Sequence, residues 1–406
     1  MTKRDRAAGQ AGPRILLIYD AAFPFVLGGG QRRFYEVGRR LAVQAWTVDW
    51  LTFQHWRGTA TTVRDGITYR GMGRMPRLYN QQGRRTRREP AIFLLRTLWR
   101  LPSIRHYDIV WVAQWPLLHI VPLAIACRVL GVRLVIDWWE VWPLATWRSY
   151  SRTAGWAGYA LQKLYLKFGS ASASLVTDTG IEAARIRAIT GRPGVAVIPN
   201  GVPLEEIGEV DLNAPAAYDL GCLVRLKDHK RVDLVVEAVH ALRERHGITA
   251  TAAIIGDGPE RAGLEALARR LGVDTQVTFF GYIESPHDAY AILKQAKVCM
   301  VTTVGGGAGS LAILEGYGCG LPVICFRADI GIDPALIEDG RTGRLVDTVS
   351  GEALADAIAP ILTDAALLRE MRESARAAAL HLGWDEVSAS YRAVFENALA
   401  SAHPHR

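Results

Sequence analysis

Short apolar runs alternate with longer amphipathic stretches along most of the chain. In the first half, β-rich runs that predict strands occupy residues 14–19, 46–53, 108–113, 133–136, 174–177 and 195–198. Helical periodicity fills most of the intervals between them. Strands separated by helices predict a parallel sheet that is covered on both faces.

The same alternation starts again in the second half. Strands are predicted at 219–224, 251–255, 277–280, 298–302 and 322–326, with helices at 232–246, 259–271, 289–295 and 311–318. Between the halves, Pro199-Asn200-Gly201 breaks the pattern, and residues 202–217 have no strong periodicity. The predicted fold class is therefore α/β, with two doubly wound, Rossmann-like domains that face each other across a cleft.

These patterns divide the chain into five predicted parts. We expect a flexible N-terminus over 1–13, a first domain over 14–205 and a second domain over 206–382. An amphipathic helix over 383–400 is expected to cross the domain junction, followed by a tail at 401–406.

Composition narrows the class of protein. Of the 406 residues, 50% are hydrophobic, which excludes disorder for most of the chain. Its apolar stretches are shorter than the roughly 20 residues that a membrane span needs. The N-terminus is polar and basic and lacks the apolar core of a secretory signal, so we expect a cytoplasmic protein. The five cysteines are widely spaced, which predicts buried, reduced thiols.

The net charge of +8 comes from one part of the chain. Residues 70–105 contain ten arginines and a single acid, Glu89. Within this range, residues 89–101 combine seven large apolar side chains with Arg96 and Arg100. The pattern is typical of an interfacial helix that contacts the inner face of a membrane peripherally, and equally of a helix on the first sheet beside a solvated basic loop. Few aromatic residues are interleaved, which argues against nucleic-acid binding.

Three places carry candidate chemistry. Gly28-Gly29-Gly30 opens a helix and could bring backbone amides to a phosphate, or be a simple turn. Arg225 and Lys230 flank a strand-to-helix turn, where they could hold a diphosphate or be ordinary surface cations. A second glycine-rich loop, 305–310, leads into a helix carrying Glu315, a carboxylate that could bind vicinal hydroxyls or form a structural ion pair.

Taken together and in order, these segments resemble the retaining GT4-type glycosyltransferases of GT-B fold. The motifs that carry the resemblance are GGGQ at 28–31, IPNGV at 198–202, VRLKDHKRVDLVVEAV at 224–239, IIGDGPE at 254–260, FFGYI at 279–283 and LEGYGCGLPVI at 314–324. The resemblance implies an acceptor-side first domain and a second domain that binds a nucleotide sugar.

It also implies roles for individual residues. Arg225 and Lys230 would neutralise the donor diphosphate and act as the catalytic cations, while Glu315 would hold the nucleotide ribose. The implied set of donor-binding residues is Gly29, Gly30, Asn200, Arg225, Lys230, Gly256, Tyr282, Gly309, Ser310, Leu311 and Glu315.

Two positions depart from the family pattern, and both concern the donor sugar. Gly307 stands where the family often has a glutamate that touches the hexose, eight residues before the ribose-binding position. Trp139 replaces a histidine that approaches the sugar 6-hydroxyl. The departures are consistent with an unusual donor sugar, with neutral drift or with loss of catalysis. Candidates for contact with the donor sugar or the acceptor are Gln31, Asp137, Trp139, Glu140 and Gly307.

The predicted function is transfer of a sugar from a UDP or GDP sugar to a small-molecule or lipid-linked acceptor, with retention of the anomeric configuration. No cofactor and no metal are expected, because no Asp-x-Asp or His/Cys cluster stands at a suitable place. The alternatives are a GT-B-fold epimerase or phosphorylase, and a non-catalytic nucleotide- or nucleic-acid-binding protein.

Overall fold

The computed structural model describes residues 12–26, 28–75, 88–209, 216–304, 311–327 and 333–401. The chain divides into two compact units, Met1–Pro199 with Val387–Arg406, and Asn200–Glu386. This division lies six residues before the predicted boundary after residue 205. It comes earlier because the Val202 amide donates a hydrogen bond to the Leu382 carbonyl at 2.7 Å, which ties that segment to the second unit.

The first unit contains an eight-stranded sheet with the order β3-β4-β2-β1-β5-β6-β7-β8. Its strands are β1 (Arg14–Ile18), β2 (Thr47–Gln54), β3 (Thr61–Arg64), β4 (Ile67–Arg74), β5 (Ile109–Ala113), β6 (Arg133–Asp137), β7 (Ala173–Thr177) and β8 (Val195–Val197). Its helices are α1 (Gly29–Val43), α2 (Arg88–Arg100), α3 (Ile120–Leu130), α4 (Leu144–Tyr150), α5 (Ala154–Gly169) and α6 (Gly180–Thr190). Short 3₁₀ turns occupy Leu101–His106 and Leu117–His119.

The hairpin of β3 and β4 was not expected from the sequence. It is the antiparallel pair in this sheet, whereas the other neighbouring strands run parallel. Asp65 and Gly66 connect the two strands with φ angles of 49° and 76°. An Asp-Gly pair favours such a turn, but most of β3 is exposed and its alternation of apolar residues is weak.

The second unit contains a six-stranded sheet with the order β11-β10-β9-β12-β13-β14, parallel throughout. Its strands are β9 (Tyr218–Leu223), β10 (Ala252–Ile255), β11 (Val277–Gly281), β12 (Ala296–Val301), β13 (Val323–Phe326) and β14 (Gly343–Val346). Its helices are α7 (Leu204–Gly208), α8 (Asp233–His246), α9 (Arg261–Arg270), α10 (Pro286–Lys294), α11 (Leu311–Gly318), α12 (Gly351–Thr363) and α13 (Ala365–Leu380). The 3₁₀ turns here are Asp228–Lys230 and Pro334–Leu336.

The central strands are buried because helices cover both faces of each sheet. Every residue of β5 and of β10 is buried, as the near-continuous apolar runs predict. All five cysteines are buried and unpaired, which agrees with the prediction, and burial raises the pKa of the Cys222 thiol to about 12.

The last helix, α14 (Trp384–Ala400), begins in the second unit and continues in the first. Tyr391 and Phe395 pack against Trp111 of β5, with ring centroids 4.8 and 5.4 Å apart. Apolar side chains on one side of this helix thus complete the core of the first unit. The predicted tail lies outside the described residues beyond Ser401.

Close backbone contact fixes the carboxyl ends of β9 and β10. Gly256 follows β10 with a φ of 135°, and a Cβ atom there would lie 1.9 Å from the Val224 carbonyl oxygen. A Cβ atom on Gly258 would lie 2.1 Å from the Leu226 carbonyl oxygen. The Leu226 amide also donates to the Asp257 carbonyl at 3.0 Å. Glycine is required here because no side chain fits between the two segments.

We therefore expect Gly256→Ala to lower the free energy of unfolding by at least about 1–3 kcal/mol, the cost of one strained backbone residue. Urea denaturation of the purified chain measures the change. Gly263→Ala is the matched control, because Gly263 is exposed on α9 and a Cβ atom there meets nothing within 4 Å. Equal unfolding midpoints for the two variants would refute the steric argument.

Candidate functional site

Candidate residues gather at the carboxyl edge of each sheet. In the first unit, β1 and β5 are neighbours at the point where the strand order reverses, and α1 begins at Gly29 directly after the loop that follows β1. In the second unit, the same reversal lies between β9 and β12. Ligands of doubly wound sheets bind outside the strand ends at such points. The candidates therefore form two groups, one on each unit.

Trp139 packs against the first turn of α1. A Cβ atom on Gly30, the second residue of the helix, would lie 2.6 Å from the Trp139 ring, so a larger residue there would force the indole to move. The same indole contacts the ring of Tyr19, with centroids 5.6 Å apart, and Gln31 donates to the Tyr19 hydroxyl at 3.1 Å. Three of the predicted residues, Gly30, Gln31 and Trp139, are thus brought together. The edge of the indole therefore lies against the N-terminal turn of α1.

Asp137 lies in the interior, which differs from its predicted role as a contact to sugar or acceptor. Its Oδ2 atom accepts hydrogen bonds from Arg33 Nε at 3.2 Å and from the Tyr391 hydroxyl at 2.6 Å, and both side chains are fully buried. Arg33 also donates to the Ile198 carbonyl at 2.6 Å. Burial opposes the charge of Arg33, but Tyr391 and Asp137 outweigh it and raise the pKa of the guanidinium. Asp137 is a structural partner of a buried cation.

Glu140 is held by its neighbours. Gln114 forms a pair of hydrogen bonds with the Glu140 backbone, at 2.9 and 3.0 Å, and the Trp142 indole donates to the Glu140 carboxylate. The Trp142 ring in turn contacts Trp115 and Trp147, with centroids 5.0 and 5.2 Å apart. The loop after β6 is therefore a fixed element whose carboxylate already has a partner.

Asp178, which the sequence did not single out, follows β7 directly. Burial raises its pKa to about 7, because the nearby charge of Arg33 only partly offsets desolvation while Asp137 and Glu140 raise the pKa further. Its Oδ1 atom is buried and has no hydrogen-bond partner among the described residues. The isolated aspartate in a Thr-Asp-Thr sequence gives no signal of this environment, because the other charges come from distant segments.

In the second unit, Arg225 and Lys230 lie on the loop that follows β9. The Arg225 side chain is exposed and makes no ion pair or hydrogen bond with the described residues. Lys230 ends the 3₁₀ turn Asp228–Lys230, and its carbonyl accepts a hydrogen bond from the Thr302 hydroxyl at 2.8 Å. The Val304 amide donates to the His229 carbonyl at 3.0 Å. These bonds tie the cationic loop to the end of β12.

Glu315 lies on α11, and its Oε1 atom accepts a hydrogen bond from the Tyr290 hydroxyl at 2.9 Å. Tyr290 is 98% buried on α10, so it holds the carboxylate in one place. No sequence pattern indicated this tyrosine, because Tyr290 and Glu315 are 25 residues apart and lie on different helices that only the tertiary structure brings together. Tyr282 follows β11 and is 64% exposed, which leaves an aromatic face at the same edge.

The remaining predicted residues are placed as follows. Leu311 opens α11, Gly29 opens α1, and Asn200 is the first residue of the second unit and nearly buried. Gly307, Gly309 and Ser310 lie outside the described residues. At the second edge, then, two cations follow β9, an exposed aromatic ring follows β11, and an ordered carboxylate lies inside α11. Such a set can bind a diphosphate, a ribose and a planar base.

The described residues contain neither a cluster of metal-binding side chains nor a helix that could span a membrane. No group of three or more His, Cys, Asp or Glu side chains is placed to hold a metal ion there. None of the helices in those ranges combines the length and hydropathy needed to cross a membrane.

We expect Asp178→Asn to stabilise the protein in a pH-dependent way. Because the folded-state pKa is above that of an unfolded aspartate, the wild type loses stability as the pH rises from about 4 to about 7. The asparagine variant avoids that loss, so its advantage in unfolding free energy should grow over this interval and then level off. Denaturation at several pH values measures it, with Asp274→Asn, at an exposed position, as the control. A difference in unfolding free energy between Asp178→Asn and the wild type that does not change with pH would contradict the raised pKa of Asp178.

Comparison with known proteins identifies matches over most of the chain. The family described as "Glycosyl transferase 4-like domain" matches residues 28–201, and "Glycosyl transferases group 1" matches residues 213–378. A GDP-mannose-dependent alpha-(1-6)-phosphatidylinositol monomannoside mannosyltransferase of Mycolicibacterium smegmatis is 30% identical over 284 residues, which cover 65% of this chain and 70% of that protein. The D-inositol 3-phosphate glycosyltransferase of Corynebacterium glutamicum is 29% identical over 44% of this chain and 43% of its own length.

Solved structures share the fold. Sucrose-phosphate synthase from Thermosynechococcus elongatus superposes with a TM-score of 0.73 at 19% identity, covering 96% of this chain and 100% of that one. Anabaena HepE in complex with UDP gives a TM-score of 0.70 at 16% identity, over 95% of this chain and 100% of its own. These structures are GT-B glycosyltransferases, and the two parallel-sheet units here have that architecture. The chain is therefore an enzyme of the GT4-type glycosyltransferase family with a GT-B fold, as the sequence resemblance predicted.

Proposed function

We propose that this enzyme transfers a sugar from a UDP or GDP sugar to an acceptor hydroxyl, with retention of the anomeric configuration and without a metal ion. The observation that carries the proposal is the exposed Arg225 guanidinium, which has no ion-pair partner among the described residues, beside Lys230 on a loop fixed to β12. Arg231 and Arg261 of the same unit are paired with acids, whereas Arg225 stands beyond the carboxyl end of a central strand without such a pair. A cation left unpaired at a strand end is available for a diphosphate.

The chemistry assigned to these groups is stabilisation of a leaving group. The bond between the anomeric carbon and the diphosphate oxygen breaks, the acceptor hydroxyl attacks from the same face, and its proton passes to the departing phosphate oxygen. Arg225 and Lys230 neutralise the charge that develops on that oxygen, which is the role that a divalent ion fills in other transferases. Glu315, oriented by Tyr290, holds the ribose of the nucleotide.

The relatives support a UDP sugar and a GDP sugar equally as the donor. One relative is named for GDP-mannose, and a structural neighbour binds UDP. The acceptors in the relatives' names are an inositol phosphate and a phosphatidylinositol mannoside. For this chain we propose a small-molecule or lipid-linked acceptor. Peripheral membrane contact through residues 70–105, and a cytoplasmic location, stay predictions.

The position of Trp139 supports the proposal that this enzyme prefers a modified donor sugar to an ordinary hexose. The indole is packed between Gly30 and Tyr19 and therefore places a bulky apolar ring where the family has a histidine. Such a site gives up a hydrogen bond to a sugar hydroxyl and accommodates a deoxy, amino, shortened or extended sugar.

We expect Arg225→Ala and Lys230→Ala each to lower kcat by about 10²–10³-fold, the usual effect of removing one preorganised charge donor. Sugar transfer from the best donor in a panel of nucleotide sugars measures the effect. Lys227→Ala is the matched control, because this cation lies on the same loop but was not assigned to the diphosphate. Rates like those of the wild type in both test variants would show that Arg225 and Lys230 do not stabilise the leaving diphosphate.

Restoring the family residues should change donor choice. With Trp139→His alone, and with Trp139→His plus Gly307→Glu, we expect kcat/KM for ordinary hexose donors to rise relative to modified sugars, since hydrogen-bonding groups return to the sugar site. The comparison uses a panel of common and modified nucleotide sugars. If the wild type already prefers an ordinary hexose donor and both variants keep the same ranking, the two departures are neutral drift.

A further inference from the structure

A cavity beside α13 is lined mainly by charged side chains. It has a volume of about 250 Å³, and its described lining is one face of this helix: Ala365, Leu368, Arg369, Arg372, Glu373 and Arg376. The three arginines recur at helical spacing, so they stand on the same side of α13. Glu373 is the one acid in this set. We refer to this place as the α13 cavity, and its described lining carries three positive charges and one negative charge.

Arg372 is the most enclosed of the three cations. It is half-buried, and its Nη1 atom donates a hydrogen bond to the carbonyl of Ala296, the first residue of β12, at 3.2 Å. It makes no ion pair with any residue that the structure describes. Burial, and after it the charge of Arg376, lower the pKa of the Arg372 guanidinium. The two cations repel each other in a partly enclosed place, and an anion bound between them would remove that repulsion.

Arg376 is held against the backbone that precedes β13. Gly320 has a φ of 68°, and a Cβ atom there would lie 2.4 Å from Arg376 Nε and 2.8 Å from Arg376 Cγ. The exposed arginine side chain therefore lies across this glycine, and it has no ion-pair partner in the described part of the chain. Two of the three cations are thus positioned before a ligand arrives, which lowers the entropy cost of binding.

The acids close to the α13 cavity do not neutralise it. Glu373 stands four residues after Arg369 and three before Arg376, spacings at which helical ion pairs form, yet it pairs with neither. Strand β9 lies beside β12, and its Asp219 is already paired with Lys297 at 2.8 Å. The positive charge of the cavity is therefore not balanced by these acids.

We propose that the α13 cavity is a second anion site, which binds the phosphate group of a small soluble molecule. Arg372 and Arg376 would each offer planar pairs of N–H donors to the phosphate oxygens, and the exposed Arg369 would add a third positive charge. The volume of about 250 Å³ is below the roughly 300–1,000 Å³ of pockets for larger ligands. A phosphate or diphosphate with a few further atoms therefore fits better than a nucleotide sugar.

The α13 cavity is separate from the donor site. Ala296 begins β12, and Gly320 comes three residues before β13, so the cavity lies at the amino edge of the second sheet. Arg225 and Lys230 follow the carboxyl end of β9. Because a strand rises about 3.3 Å per residue, β12 separates the two edges by roughly 15–20 Å. Ligands can occupy both sites at once, and this inference does not rest on the proposed donor chemistry.

Titration calorimetry with inorganic phosphate and pyrophosphate tests the proposal. The full chain carries Arg225→Ala and Lys230→Ala, so that the donor cations do not contribute, and about 0.15 M sodium chloride screens non-specific attraction. We expect both anions to bind. Arg372→Gln, and separately Arg369→Gln with Arg376→Gln, should each weaken binding at least about tenfold, because charged hydrogen-bond donors are lost. The second variant changes only exposed side chains, so it tests the site without risk to folding.

Two control variants sharpen the test. Arg269→Gln with Arg270→Gln removes two exposed arginines from α9, and its phosphate affinity should equal that of the background chain. Glu373→Gln removes the carboxylate from the cavity lining, so it should bind phosphate about two- to fivefold more tightly. Phosphate should also raise the thermal unfolding temperature of the background chain but not that of the two cavity variants.

The proposal is overturned if neither anion binds the background chain, or if the cavity variants bind as well as the α9 control. Equal weakening by the α9 control would assign the binding to general positive charge and overturn it as well. Titration of the cavity variants with UDP and GDP, with the donor cations intact, keeps the two proposals apart. These variants should retain the nucleotide affinity of the wild type, whereas absence of nucleotide binding in the wild type itself would concern the donor site alone.

Discussion

The guanidinium of Arg33 has no contact with solvent and is held by groups from three separate parts of the first unit. It donates hydrogen bonds to Asp137 at the end of β6, to the Tyr391 hydroxyl of the last helix and to the Ile198 carbonyl. The Tyr391 hydroxyl in turn donates to Asp137. A buried cation is tolerable only when it is paired, and removing one partner of such a pair typically costs about 3–5 kcal/mol. The carboxyl edge of this sheet, with the Trp139 loop that follows Asp137, is therefore tied to the C-terminal helix.

In the second unit, backbone contacts hold the carboxyl edge of the sheet in place. Gly256 and Gly258 allow the chain after β10 to lie against the chain after β9, and the Thr302 hydroxyl anchors the turn that ends at Lys230. The cations therefore lie on a loop whose backbone is fixed before any ligand binds. Preorganised charge of this kind stabilises a leaving group without a cost of reorganisation during the reaction. The two units thus fix their strand ends by different physical means.

Much of this fold could be predicted from the sequence, because alternating strands and helices have distinct periodicities. The positions of Arg225 and Lys230 at a strand-to-helix turn, and of Glu315 inside the helix after the second glycine-rich loop, followed from the same pattern. The partners of these residues could not be predicted. Tyr290 and Glu315 are 25 residues apart, and Arg33 and Tyr391 are 358 apart, so their pairing depends on tertiary structure. For the same reason Asp137 resembled a ligand contact in sequence and is a buried ion-pair partner in the fold.

Calorimetric titration with nucleoside diphosphates and monophosphates, in excess EDTA, tests the central claim most directly. If cations of the protein hold the diphosphate, UDP or GDP should bind without added metal. The monophosphate of the same base should bind at least about tenfold more weakly, because it lacks one of the two phosphates. Equal affinity for diphosphate and monophosphate, or binding that appears only after magnesium is added, would contradict the account.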